Sequence, residues 1–185
     1  MRVPALCVIV GTFCGFACGT ASAQQSNQLT LVPIQSVKLE DSFWSPKRKV
    51  WQEVTIPNCF TKFDNDRGGA FNNFDRVRDG KSDGHAGPPW YDGLVYEMIR
   101  GSADFLAAKP EPVLEQRMDG YIARIATAQA RDPDGYLNTW TQLEHPNQRW
   151  VLNGGNDGYQ HEMYNVGASC EAAVHYYRAT GKTFC

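Results

Sequence analysis

Three segments repeat apolar residues at intervals of three and four, and this period constrains the fold more than any other feature of the chain. Tyr91, Leu94, Val95, Met98, Ile99, Phe105 and Leu106 form the first stripe, which Lys109-Pro110 stops. Leu114, Met118, Tyr121, Ile122, Ile125 and Ala126 form the second, after Pro112, and it ends before Asp132-Pro133-Asp134-Gly135. Met163, Val166, Cys170, Ala173, Val174 and Tyr177 form the third, read as the inward face of a helix that Thr180-Gly181-Lys182 closes. Such spacing is that of amphipathic helices, because side chains three and four apart share one face. The proline sets φ and the glycine accepts a positive one, so Asp132–Gly135 reads as a turn. No strand pattern alternates with the helices as a parallel α/β fold requires, and the expected class is all-α: antiparallel helices with loops at one end, suited to an α/α barrel.

Between the helices the signals are weaker. Leu29, Leu31, Ile34 and Val37 alternate with polar residues, as in a short strand or extended arm. Ser45-Pro46 reads as an N-cap followed by proline, opening a short helix with Val50, Trp51 and Val54 on one face that Pro57 interrupts. Residues 64–89 and 138–160 carry no sustained period and read as two long loops. Loops longer than about 15 residues in compact domains are usually functional or disordered.

The start of the chain has the form of an export signal. Met1-Arg2 is followed by an apolar run to Ala17, and Ala21-Ser22-Ala23 precedes Gln24 as a signal-peptidase site. The expectation is a signal peptide at residues 1–23, cleavage after Ala23, and a secreted or periplasmic product at residues 24–185, with no membrane attachment after cleavage. Losing Arg2 leaves 17 of the 18 basic side chains against 20 acidic ones, a net charge of −3. That balance lacks the dense basic face that nucleic acid needs, so no nucleic-acid partner is expected. Cys7, Cys14 and Cys18 leave with the signal, while Cys59, Cys170 and Cys185 remain; an odd number closes no disulfide framework, and Cys170 reads as a small buried thiol.

The loops gather side chains that suit sugar. Asp75, Asp92, Glu144, Asp157 and Glu162 stand beside Trp90, Trp140, Trp150, Asn73 and Asn153. Hydroxyls take polar partners, and a sugar ring stacks on an aromatic face. Loop tryptophans equally pin a loop to a core, and carboxylates equally cap helices. Glycoside cleavage ordinarily uses two carboxyl groups, and spacing in sequence does not pair them. His161 opens the last helix at the positive end of its dipole, a position for hydrogen bonding to a ligand. A zinc-protease pattern fails there, since Asn165 occupies the place of the second histidine.

Several ordered motifs carry a resemblance. Val37-Lys38-Leu39-Glu40-Asp41-Ser42-Phe43-Trp44, Ile56-Pro57 and Asn73-Phe74 resemble the opening of glycoside hydrolase family 127, the β-L-arabinofuranosidase-like proteins. Asp92 through Glu97, Ala126 through Thr139, and His161-Glu162-Met163-Tyr164 with Tyr177-Arg178-Ala179-Thr180-Gly181 resemble later segments of the same domain. The resemblance implies an (α/α)6 barrel that releases terminal L-arabinofuranose with retention, by a zinc-held cysteine thiolate and a glutamate acid/base. It implies a carbohydrate partner, an arabinose-containing plant-type glycan, and a sugar-pocket role for His161, with Asp92 and Tyr164 as further lining.

The family's zinc ligands, its Cys-Cys pair and its catalytic glutamate have no matching segment here. The expectation is therefore the N-terminal portion of the catalytic domain, with no catalytic residue and no metal ligand of its own, Cys185 not serving as nucleophile, and no activity alone. Two alternatives stay open: a non-catalytic sugar-binding or scaffolding helical protein, and another α/α-barrel enzyme such as a polysaccharide lyase or uronyl hydrolase, for which Arg76 would supply a uronate clamp.

Overall fold

The computed structural model describes residues 29–151 and 160–184. The expected signal peptide, together with Asn153, Gly154, Gly155, Asp157 and Cys185, lies outside the described residues. Those from Val32 onward belong to one compact unit. Among the described residues there is no strand: the N-terminal segment is an exposed arm with a single 3-10 turn at Ile34–Ser36. Seven α-helices follow among the described residues.

The first two are nearly continuous. α1 spans Trp44–Val50 and α2 spans Ile56–Phe63, joined by a π-helical segment at Trp51–Thr55. Pro57 therefore does not end the helix. Its ring would crowd a carbonyl one turn back and it has no N–H to donate, and a widened turn just before it accommodates both deficits. Ser45 is not the cap either: helix α1 begins at Trp44, and Asp41 Oδ1 accepts from the N–H groups of Phe43 and Trp44.

α3 spans Ala70–Arg78, inside what the sequence reads as a loop. Its Ala70, Phe71, Phe74 and Val77 are all buried, a stripe too short to stand out among Asn, Asp and Arg but enough to dock one face. α4 spans Tyr91–Ala108 and α5 spans Pro112–Gln129, joined by a three-residue turn. α6, Thr139–Glu144, is a second helix within an expected loop, capped by Asn138, whose side chain accepts from the Thr141 N–H. α7 spans Glu162–Thr180 and stops at Gly181, whose φ of 75° suits a residue without Cβ.

Helices α4 and α7 make the most extensive packing. They run parallel: Gly93 meets Asn165, Arg100 meets Glu171 and Asp104 meets His175 in one steady offset. α5 runs opposite to α7, since Asp119 meets Tyr176 while the earlier Glu115 meets the later Lys182. Alternating directions of this kind are those of stacked helical hairpins. Beneath them lies a core of aromatic rings, in which Phe71 stacks on Tyr121 at 4.1 Å and 15° and Phe60 joins at 5.2 Å. Each such ring, fully buried, stabilises by about 2–3 kcal/mol.

α7 departs most from expectation. Its buried face is Glu162, Asn165, Ala168, Ala172 and Tyr176. The stripe read as inward is exposed at Met163, Val166, Val174 and Tyr177, and Cys170 is an exposed free thiol rather than a buried one. Small Ala168 and Ala172 let α7 approach α4 closely, and Asn165 earns its interior place by hydrogen bonding.

Candidate functional site

The parallel run of α4 and α7 puts their N-terminal ends side by side. Gly93 N–H donates to Asn165 Oδ1 at 3.0 Å, and Asn165 Nδ2 donates to the Pro89 carbonyl at 3.4 Å. A Cβ at position 93 would stand 2.3 Å from the Tyr164 ring, so a side chain there would force the helix ends apart. Asn165, where a metal site would place histidine, is thus a structural tie between helices.

Just outside this tie three rings meet. Trp90 precedes α4, His161 precedes α7, and their ring centroids are 5.0 Å apart at 56°. Tyr164, one turn into α7, stands edge-on to His161 at 6.2 Å and 84°. Trp90 and Tyr164 are exposed and His161 is half-buried, so the cluster faces solvent. His161 has left-handed backbone, φ 56° and ψ 27°, which turns the chain sharply into the helix. The sequence names all three residues, and the structure brings them together.

Asp92 stands behind this cluster. It is wholly buried, and its two carboxylate oxygens accept from Thr139, one from the N–H at 2.7 Å and one from Oγ1 at 2.6 Å. This ties the start of α6 to the start of α4. Burial pushes the Asp92 carboxyl up to about 6, against the opposing effect of the two Thr139 hydrogen bonds.

The other carboxylates named from sequence that lie among the described residues are likewise engaged by protein donors. Asp75 is ion-paired with Arg124 and Arg78. Glu144 Oε1 accepts from the His85 N–H at 2.7 Å. Glu162 is buried, with Tyr136 and Thr141 hydroxyls donating to Oε1 and the Trp150 N–H to Oε2 at 2.9 Å. Burial, then Glu162 itself, raises the Tyr136 phenol above its ordinary range.

The remaining polar candidates support the loops. Asn73 is buried, and its amide both donates to and accepts from the Ala86 backbone at 2.9 Å while approaching His85 Nε2 at 3.1 Å. Burial holds the His85 ring down to about 4, outweighing the neighbouring Glu144 carboxylate and a Gly87 backbone hydrogen bond. Trp140 lies between His85 and His145, 5.1 Å and 5.6 Å away. Arg76 is committed to Asp83, bonding its carboxylate at 2.6 Å and its carbonyl at 2.9 Å. Trp150 packs edge-on against Tyr136 at 5.4 Å. Tyr136, Thr139 and Thr141 were not singled out from sequence, although the Gly135-Tyr136-Leu137-Asn138-Thr139 run held the signal in a motif whose hydroxyls face inward.

The zinc that the sequence resemblance implies finds no fit here. Among the described residues no three His, Cys, Asp or Glu side chains gather as a metal site requires, and Cys59 and Cys170 stand on different helices.

Comparison with known proteins places this arrangement. A family model described as β-L-arabinofuranosidase, GH127 catalytic domain, matches residues 36–184. The non-reducing end β-L-arabinofuranosidase of Bifidobacterium longum subsp. longum is 36% identical over 97 residues, which take in 51% of this chain and 14% of that protein. The crystal structure of a GH127 β-L-arabinofuranosidase from Geobacillus stearothermophilus T6 superposes with a TM-score of 0.68 at 36% identity, covering 79% of this chain and 23% of that one. A second solved GH127 β-arabinofuranosidase gives a TM-score of 0.70 at 34% identity, covering 82% and 24%. The helices accordingly form part of an α/α barrel, and the chain spans under a quarter of the length of each of these relatives.

Proposed function

The chain belongs to glycoside hydrolase family 127, and from that premise we propose that its Trp90–His161–Tyr164 cluster supplies contacts to a terminal L-arabinofuranose unit, while the bond-cleaving groups are not among the described residues. The observation that carries this reading is the ring cluster itself: an imidazole held by left-handed backbone between two exposed aromatic rings at the shared end of two parallel helices. An aromatic face takes the apolar side of the sugar, and the imidazole takes a hydroxyl. Asp92 acts behind the cluster by fixing α6 to α4. No step is assigned to a metal.

The carbohydrate is, in this reading, an arabinose-containing plant-type glycan. Export belongs to the same proposal, supported by the Met1-Arg2 start, the apolar run and Ala21-Ser22-Ala23, with cleavage after Ala23.

The test is a titration of the chain with methyl β-L-arabinofuranoside, followed by ring NMR signals of His161 and by tryptophan fluorescence. Saturable changes are expected, weakened at least about tenfold in His161→Ala, a loss of about 1.4 kcal/mol or more. No release of aryl alcohol from an aryl β-L-arabinofuranoside is expected. Binding indifferent to His161→Ala would overturn the sugar contact, and turnover by the purified chain would overturn the assignment of cleavage to other residues.

A further inference from the structure

Among the described residues only two that are not glycine have positive φ, Trp150 at 53° and His161 at 56°. Left-handed backbone is strained for such residues, and it persists where the surroundings over-determine it. One side chain touches both places. Glu162 follows His161 directly, and its Oε2 accepts from the N–H of Trp150 at 2.9 Å. Its Oε1 accepts from Tyr136 Oη and, at 3.3 Å, from Thr141 Oγ1, so two further segments converge on the same carboxylate.

The carboxylate is buried, and every oxygen is met by a donor, which is the condition under which a buried carboxylate is tolerated. It also sits at the first residue of α7, where the helix dipole favours negative charge. Both of its oxygens are taken up by donors of the protein, so its role is to hold the chain and not to touch a ligand. We propose that Glu162 is a positioning residue: it fixes the left-handed conformations of His161 and Trp150, and thereby the placement of the His161 ring between Trp90 and Tyr164. The consequence for sugar rests on the reading given above; the conformational role does not.

Gln160 also joins this region, with its Nε2 donating to the Gln148 carbonyl at 2.8 Å, and it is the competing anchor. Glu162→Ala removes the carboxylate and keeps Gln160. Glu162→Gln keeps one acceptor oxygen for the Trp150 N–H and lets the amide donate to the Tyr136 oxygen. Both variants and the wild type are compared by amide hydrogen exchange, by the His161 ring signals and by sugar titration. The wild-type Trp150 amide is expected to be protected. In Glu162→Ala its exchange is expected to rise at least about tenfold and the His161 signals to move, with core amides of α4 and α5 unchanged. Glu162→Gln is expected to restore Trp150 protection.

An unprotected Trp150 amide in the wild type, which needs no variant to fold, overturns the role. So does a Glu162→Ala protein with unchanged Trp150 exchange and His161 signals, or one whose protection falls equally throughout the core. A wild type with protected Trp150 and no sugar affinity removes the sugar reading and leaves the positioning role standing.

Discussion

Asp92 and His85 show how burial sets charge at single residues, and their effects on stability oppose each other. A buried carboxyl raised to about 6 binds a proton in the folded state that the unfolded chain has already lost, so its contribution is fully present below about 4 and is lost as pH rises through about 6. Over that window the change is on the order of 3 kcal/mol. His85 behaves oppositely. Its ring, held down to about 4, stays neutral when the unfolded chain binds a proton, so its contribution is present above about 6.5 and is lost as pH falls toward 4. Between about 4 and 6 the two slopes offset each other in the wild type. Asp92→Asn can keep the Thr139 bonds, its oxygen accepting from the N–H and its amide donating to Oγ1. It should expose the histidine slope, with stability rising from pH 4 to 6.5, while His85→Gln should expose the carboxyl slope, falling from pH 4 to 6. Urea midpoints measured across that range decide the matter; parallel curves for the two variants would contradict the burial of one or both groups.

At the scale of elements, the crossing of α4 and α7 depends on what is missing at Gly93. A methyl group there would meet Tyr164 at 2.3 Å and Asn165 Oδ1 at 2.8 Å; the exposed Tyr164 ring would have to swing away, and Asn165 cannot retreat without breaking the tie between the helix ends. Gly93→Ala should therefore destabilise by about 2–3 kcal/mol and displace Tyr164. Gly101 lies in the same helix with nothing within 4 Å of its would-be Cβ, so Gly101→Ala should stabilise by about 0.5–1 kcal/mol through helix propensity alone. Chemical denaturation of the pair separates the two effects, and equal shifts of the same sign would disprove the close approach. These helices were legible in the sequence because α4 and α5 carry stripes of large apolar residues. α3 and α6 were not, since nine and six residues give too few turns for a period to show among polar neighbours. His161, Tyr164 and Trp90 were each named from the sequence, but not as one cluster. Trp90 joins the other two only through the parallel packing of helices far apart in sequence.

For the whole molecule the decisive feature is the face of α7 that the core does not use. Periodicity finds an apolar stripe but cannot say that the chain packs against the opposite face, here built of Glu162, Asn165, Ala168, Ala172 and Tyr176 with their own hydrogen bonds and small side chains. Val166, Ala173, Val174 and Tyr177 instead line a groove of about 920 Å³ together with Ile125 and Leu137. Exposed apolar surface of that kind binds apolar dyes and promotes association. A molten chain would do the same, and cooperativity separates the two cases, because a packed core unfolds all-or-none and a molten one does not. The chain should therefore bind anilinonaphthalene sulfonate under native conditions and still unfold in a single sharp urea transition. Val174→Glu combined with Tyr177→Lys, both exposed, should cut the dye signal and the self-association while leaving the unfolding free energy within about 0.5 kcal/mol. A dye signal unchanged by these substitutions, together with a gradual transition, would mean that the dye reports a loosened core, and the face of α7 would lose its place as the source.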